Sequence, residues 1–215
     1  MKKDSTEARL SINLFSLTFL YSDIPFALLL PLELFFLWII LRLGTNFKEE
    51  LDMSNIKNNA KKKFPLIVAV RGQLEQRAQW LYLLSDEAKK RGLDPDDFAS
   101  EAITRCGSYM GNNLVKKGNT KSLKGLKKTL FTKGAQWIFE MDVVKSTDTE
   151  LSLDFHYCPL VEGWKKMGCT DEEIAELCDI AMCGDHAIGK EYDAVLDLPK
   201  CIAKGDDICA LRYHK

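Results

Sequence analysis

The sequence lacks a surplus of charge of either sign, since 30 basic residues stand against 31 acidic residues in a chain of 215. Basic stretches occur at Lys61 to Lys63 and Lys116 to Lys128, but no aromatic residues interleave with them as they do on nucleic-acid-binding surfaces. We therefore expect no nucleic acid partner. Repeats and low-complexity tracts are also missing, and a hydrophobic content of 46% suffices for one sizeable core.

Paired cysteines are missing as well. The seven cysteines are an odd number at irregular spacings, and no Cys-x-x-Cys occurs. This pattern is typical of reduced thiols in a cytoplasm and argues against a disulfide framework or a zinc finger. Cys183 and His186 have a spacing that could begin a metal site, but no second pair follows at ligand spacing. We expect no metal and no obligatory cofactor.

One long apolar run stands apart from the rest of the chain. Residues 24–41 read IPFALLLPLELFFLWIIL, about the length that crosses a bilayer, broken only by Pro31 and Glu33. A membrane anchor here would attach the protein to a membrane. A signal peptide fits less well, because the run begins far from the N-terminal lysines and no small-residue cleavage site follows it.

The alternative is that translation begins at Met53. Lys48 to Glu50 can be encoded by a bacterial ribosome-binding sequence, followed by a short spacer and the Met53 codon. The polar run from Ser54 to Lys63 is typical of a soluble N-terminus. Both readings divide the chain into a hydrophobic extension, 1–52, and a folded domain, 53–215, which is cytoplasmic if the extension is not an anchor.

Helical periodicity dominates the first half of that domain. Apolar residues at steps of three, four or seven predict a helix from about Ile67 to Gly92. A second should begin at Asp94-Pro95 and reach about Met110, with a basic third helix over 122–131. These helices are expected to be scaffold.

Alternating apolar and polar residues predict two strands, at 137–144 and 149–157. A helix from Pro159 to Gly168 follows, and a capping box at 170–173 opens another. A hairpin of 193–204 and 208–213 ends the chain. The fold class is α+β, with helices packed on a small, mostly antiparallel sheet.

Cys158 lies where the second strand gives way to a helix. Pro159 suits the first helical position, so the free amides of the helix should point at the Cys158 sulfur and favour thiolate. His156 projects from the same strand face and could share a pocket with the thiol. The alternative is an inert buried thiol beside a solvent-facing histidine.

A stripe of residues on the following helix turns a carboxylate towards the core. Its members lie at steps of four and three, and they are Ile174, Cys178, Ala181, Asp185 and Ile188. Asp185 is therefore either bonded for structure or held with a raised pKa as a base. His186 lies one step round the helix and is a second candidate for proton transfer.

The order of motifs from Cys158 to Cys209 is specific as a set. It comprises a Cys-Pro at a helix start, a Glu and a Trp, a Cys-Asp pair on a second helix, and a terminal Gly-Asp-Asp and Cys. The residues are Cys158, Pro159, Glu162, Trp164, Cys178, Asp179, Gly205, Asp206, Asp207 and Cys209. In this the chain resembles the L-2-amino-thiazoline-4-carboxylic acid hydrolase family.

The resemblance implies an enzyme that hydrolyses a carbon–nitrogen bond of a small cyclic amidine, giving N-carbamoyl-L-cysteine. Such a reaction needs a nucleophile or base, an acid for the leaving atom and a cation for the substrate carboxylate. We assign the chemistry to Cys158, His156, Asp185 and His186. Substrate binding is assigned to Glu162 for the amidine, Trp164, and either Lys200 or Arg212 for the carboxylate.

Two other classes of function stay open at this point. The closing hairpin also looks like that of vinyl reductase-type ligand-binding domains, and a sensor of that kind would line its pocket with Trp164, Phe139 and Met182. A membrane-attached interaction module would depend on residues 24–41. The expected partner is a small-molecule substrate, and self-association into a homo-oligomer is left open.

Overall fold

The computed structural model describes residues 54–215, so the predicted extension and its candidate membrane span at 24–41 lie outside the described residues. Within 54–215 there are six α-helices, one short 3-10 helix and four strands. They are α1 (Pro65–Lys90), α2 (Asp96–Gly118), α3 (Leu123–Thr129), α4 (Lys133–Ile138), β1 (Met141–Ser146), β2 (Glu150–Phe155), α5 (Pro159–Lys166), α6 (Asp171–Glu191), β3 (Val195–Asp197), the 3-10 helix (Ile202–Lys204) and β4 (Cys209–His214). None of these helices is both long and apolar enough to cross a membrane.

The four strands form one antiparallel sheet in the order β1-β2-β4-β3. On β2, Leu151, Leu153 and Phe155 are buried and share a core with helical residues such as Leu123 and Ile174. The alternate side chains of β2 project from the opposite face of the sheet. Helices packed on a small antiparallel sheet confirm the predicted α+β class.

The largest error in the predicted elements concerns Trp137 and Ile138, which were expected in a strand and instead end helix α4. The Thr132 hydroxyl caps this helix by accepting a hydrogen bond from the Ala135 amide. The chain then turns through Glu140, whose φ of 51° lies in the left-handed region. The strand therefore begins only at Met141.

Two other predicted elements differ in length. Helix α2 continues to Gly118, well past Met110, and ends at Asn119 in a left-handed conformation. The first strand of the final hairpin shrinks to Val195–Asp197. Cys201 then begins the 3-10 helix, and its amide donates to the Asp206 carboxylate at 2.8 Å, which closes the connection as a compact loop.

Helix packing near the centre depends on glycine. A Cβ atom on Gly107 of α2 would lie 2.3 Å from the Gly184 carbonyl of α6, and one on Gly163 of α5 would lie 2.8 Å from the Glu75 carbonyl of α1. No side chain fits at either contact. The Trp164 indole fixes the second contact by donating to the Ala78 carbonyl at 2.8 Å. Helix α5 is thereby held firmly against α1.

The segment from 54 to 64 is part of the fold, which differs from the expectation of an ordinary soluble N-terminus. The side chain of Ile56 is in the core, and Asn58 is only 6% exposed. The Lys165 ammonium donates to the Ile56 carbonyl at 2.9 Å. This polar stretch has no periodicity of its own, so tertiary contacts alone determine its path.

Arg71 and Glu140 form a buried ion pair at the centre of this region, 3.0 Å apart and with side chains 4% and 3% exposed. The guanidinium also donates to backbone carbonyls at the end of α4 and covers the Tyr157 ring at 4.2 Å. The Glu140 carboxylate accepts from the amides of Lys61 and Lys62, each at 2.7 Å. Burial alone would raise the pKa of Glu140, but these amides and Arg71 together lower it below its ordinary value.

Replacing Glu140→Gln should lower the free energy of unfolding by about 3 to 5 kcal/mol, because it leaves the Arg71 guanidinium buried without a counter-charge. Urea denaturation at neutral pH measures this. The loss should shrink as the pH falls below the ordinary glutamate range, since the wild-type carboxylate is then protonated as well. Glu150→Gln, which removes a solvent-screened pair with Lys145, is the matched control and should have a much smaller effect. Equal losses of stability in Glu140→Gln and Glu150→Gln would show that the buried ion pair stabilises the fold no more than an exposed one.

Candidate active site

Cys158 is the N-cap residue of α5, and the amides of Leu160 and Val161 point at its sulfur, as the sequence predicts. Its backbone is bracketed by the Asn58 side chain. The Asn58 amide donates to the Cys158 carbonyl at 2.9 Å and accepts from the Cys158 amide at 2.8 Å. The thiol is thus held in place by a residue one hundred positions earlier in the chain.

The expectation of a favoured thiolate is wrong in this structure. Burial raises the pKa of the Cys158 thiol to about 11, and this outweighs the two helix amides, which lower it. Negative charge on Cys201 and on Asp185 would raise it further, which places both groups within electrostatic reach of Cys158. Cys158 therefore keeps its proton at neutral pH.

Asp185 lies on the predicted stripe of α6, where Ile174, Cys178 and Ile188 are buried and Asp185 itself is half-buried. Its carboxylate accepts no hydrogen bond from any residue between 54 and 215, so it is not a bonded structural carboxylate within the described fold. Burial raises the pKa of Asp185 to about 6, and the charge of Arg77 opposes the rise. Asp185 is thus ionised at neutral pH but close to its titration range.

Three further thiols, those of Cys178, Cys201 and Cys209, lie within electrostatic reach of Cys158. The sulfur atoms of Cys178 and Cys201 are 3.7 Å apart, and the Ile202 amide donates to the Cys209 sulfur at 3.2 Å. Hydrogen bonds from the Cys178 and Cys209 thiols lower the pKa of Cys201, which makes Cys201 the acceptor of the group. Among the residues that the structure describes, no three metal-ligating side chains converge on a point that could hold a metal ion.

Both His156 and Arg212 have partners on the sheet. His156 is 2.9 Å from the Asp142 carboxylate on β1. Arg212 donates to the Asp154 carboxylate at 2.6 Å and to the Leu153 carbonyl at 2.8 Å. Both side chains are therefore paired with carboxylates of the sheet.

The other predicted site residues are spread over the C-terminal half. Trp164 is fully buried in the core, and Glu162 lies one turn after Cys158 with its carboxylate 3.9 Å from the Lys166 ammonium. Lys200 is exposed on the loop after β3, and His186 is exposed on α6. Of the predicted set, Asp185 is the residue whose negative charge raises the pKa of the Cys158 thiol.

Sequence reasoning missed Arg77, Asn58 and Cys201. Arg77 is exposed on α1, forms no ion pair within the described fold, and acts on the Asp185 charge. Nothing in the sequence distinguishes it from other helical cations, since only the packing of α1 brings it near α6. For Cys201, the sequence offers only the nearby turn residues. In the structure the amides of Ala203 and Lys204, in the short turn that follows, point at the Cys201 sulfur.

A family model described as L-2-amino-thiazoline-4-carboxylic acid hydrolase matches residues 73–213. The chain belongs to this family. The match includes Cys158, Asp185 and Arg77, and it does not favour the vinyl reductase-type sensor. No curated protein matches the chain. The crystal structure of a trafficking protein particle complex subunit 3 from Naegleria fowleri, covalently bound to palmitic acid, is similar at a TM-score of 0.42 and 15% identity, over 66% of this chain and 94% of that one.

Asp185→Asn should stabilise the fold at pH 8. A carboxyl whose folded pKa lies above its unfolded value destabilises the native state once it ionises, so wild-type stability should fall as the pH rises from about 4 through about 6. The shift corresponds to roughly 2 to 3 kcal/mol of destabilisation above that window, much of which the neutral isostere should recover. Urea denaturation at pH 4 and pH 8 tests this, with Asp179→Asn on the exposed side of α6 as control. A destabilised Asp185→Asn at pH 8 would instead indicate a structural carboxylate.

Proposed function

We propose that the protein hydrolyses L-2-amino-thiazoline-4-carboxylate, or a close cyclic amidine, with Asp185 as the general base. The Asp185 carboxylate carries the proposal, because it is half-buried, has no hydrogen-bond donor in the described fold and has a pKa raised to about 6. These are the properties of a base that works near neutral pH. Membership of the hydrolase family supports the reaction class.

The two pKa directions support Asp185, rather than Cys158, as the group that activates the nucleophile. At neutral pH Asp185 has lost its proton whereas Cys158, with a pKa of about 11, has kept its own. Asp185 therefore takes a proton from an attacking water, and Cys158 contributes a neutral thiol that can donate a hydrogen bond to the substrate. No covalent bond to Cys158 is required.

The reaction balances with this one carboxylate. Water adds to the ring carbon that bears sulfur and two nitrogens, and one of its protons passes through Asp185 to the ring nitrogen. The bond from that carbon to sulfur then breaks as Asp185 takes the remaining hydroxyl proton and passes it to the leaving sulfur, so that Asp185 serves as base and then as acid in each step. N-carbamoyl-L-cysteine retains both nitrogens, so its formation breaks a carbon–sulfur bond. Cleavage of the carbon–nitrogen bond expected from the sequence would give S-carbamoyl-cysteine.

Arg77 is the proposed contact for the substrate carboxylate. Its guanidinium is exposed and is near enough to Asp185 to lower the pKa of that group. A guanidinium binds a carboxylate through paired hydrogen bonds. Arg212 is less suited, because Asp154 and two backbone carbonyls already occupy it.

Asp185→Asn should lower kcat by about 10²- to 10⁴-fold, the usual contribution of a general base. In the wild type, kcat/KM should rise with pH through about 6 and then level off, because the base must be ionised. Purified enzyme and 2-amino-thiazoline-4-carboxylate in a continuous thiol-reagent assay measure both effects. Release of free thiol indicates N-carbamoyl-L-cysteine, whereas turnover without thiol indicates carbon–nitrogen cleavage. Unchanged turnover by Asp185→Asn would exclude the proposed base.

Arg77→Gln should raise KM about 10- to 100-fold, the cost of losing hydrogen bonds to a charged group. It should also move the rising limb of the pH profile to higher pH, since Arg77 lowers the pKa of Asp185. Arg105→Gln, which removes an exposed cation from α2, is the matched control and should change neither quantity. A variant that shifted the pH profile without changing KM would show that Arg77 positions charge but does not bind substrate.

A further inference from the structure

A cleft of about 460 Å³ opens between the C-terminal half of α1, the start of α2 and the first half of α6. We call it the acidic cleft, because six carboxylates and a single lysine, Lys89, line it. The carboxylates belong to Asp86, Asp94, Asp96, Glu173, Glu176 and Asp179. Its volume is in the range of small-molecule sites.

The acidic cleft is separate from the candidate active site. On α6 its lining includes Glu173, Leu177 and Ile180, whereas Cys178 and Asp185 lie on the neighbouring stripe. The two stripes differ by one residue, about 100° round the helix. The hydrolase reaction therefore gives the acidic cleft no role.

Half of these carboxylates have no cationic partner between residues 54 and 215. Asp94 accepts from the Asp96 amide at 3.0 Å, Asp96 accepts from the Ser100 hydroxyl, and Glu173 accepts from the Thr170 amide at 2.9 Å. None of these donors carries a charge. The acidic cleft is thus left with an excess of negative charge that a cation would offset.

Ser85 supplies an independent sign of a ligand. It is 5% exposed, and its buried hydroxyl has no hydrogen-bond partner in the described fold. Tyr82, Ser85, Asp86 and Lys89 occupy one face of α1 at steps of three, one and three, and all four line the acidic cleft. An unsatisfied buried hydroxyl is unfavourable, so a serine at this position indicates a partner that reaches in from the cleft.

The spread of the carboxylates favours an extended cation over a metal ion. No three of them converge closely enough to bind a metal among residues 54–215. An ammonium group is already accommodated across the cleft, because Lys89 of α1 lies 3.2 Å from Glu176 of α6. Between the charges, Pro95, Leu177 and Ile180 offer apolar surface that suits a methylene chain.

We propose that the acidic cleft binds an aliphatic polyamine. Its ammonium groups pair with Asp94, Asp96 and Glu173, and one of them donates to the Ser85 hydroxyl. The methylene segments pack on Leu177 and Ile180. This site is independent of the hydrolase reaction and does not require it.

Calorimetric titration of spermidine into the full chain at physiological ionic strength tests the proposal. We expect saturable binding of one spermidine, weakened about tenfold or more by Asp94→Asn with Asp96→Asn, which together remove two charges and keep their local hydrogen-bond acceptors. Ser85→Ala should also weaken binding but should not lower Tm, because it deletes a hydroxyl with no partner and introduces a better helix former. Asp97→Asn with Glu101→Gln is the matched control, with the same charge change on α2 outside the cleft.

The outcomes separate a built site from general attraction. Equal weakening by the control pair, or heat without saturation, would mean that spermidine responds only to overall charge and would overturn the proposal. Displacement of spermidine by an equal concentration of Mg²⁺ would also overturn it, since a compact ion cannot reach carboxylates this far apart. If Ser85→Ala lowers Tm and leaves binding unchanged, the hydroxyl has a structural role only and the proposal is overturned.

Discussion

The buried ion pair of Arg71 and Glu140 is the interaction on which the arrangement of the candidate site depends. Removing two charges from water costs several kcal/mol each, and only the surrounding backbone donors and acceptors make this burial favourable. Those partners come from the segment before α1 and from the end of α4, while the guanidinium covers Tyr157. Tyr157 directly precedes Cys158, so one ion pair holds together the pieces that position the thiol.

Much of the fold could be predicted from the sequence, because residues close together in the chain determine its helices and caps. The stripe on α6, its capping box at Thr170 and the Cys158 cap are determined by spacing and by neighbouring residues. Trp137 and Ile138 were misassigned because their apolar character suits a strand, whereas the Thr132 cap determines a helix. Local pattern predicts an element well only where no competing cap or turn is present.

Only part of the candidate site could be predicted from the sequence, because its chemistry depends on contacts between segments that are distant along the chain. The position of Cys158 at a helix start was predictable, but the depth of its burial was not, and burial reverses the direction of its pKa shift. Asp185 could be placed on a buried stripe, but its nearness to Arg77 depends on how α1 packs. The sequence therefore predicts which helix face or cap Cys158 and Asp185 occupy, but it does not predict the pKa values of their side chains.

Asn58 has a consequence for how relatives of this protein are compared. The family match begins at residue 73, yet the amide that brackets Cys158 and the lysine amides that bind Glu140 all precede it. An alignment trimmed to the matched region discards the support of the site while retaining every motif that names the family. Two relatives with identical motifs can therefore differ in how rigidly they hold the thiol of Cys158. The residues responsible for that difference would lie in the segment that precedes α1.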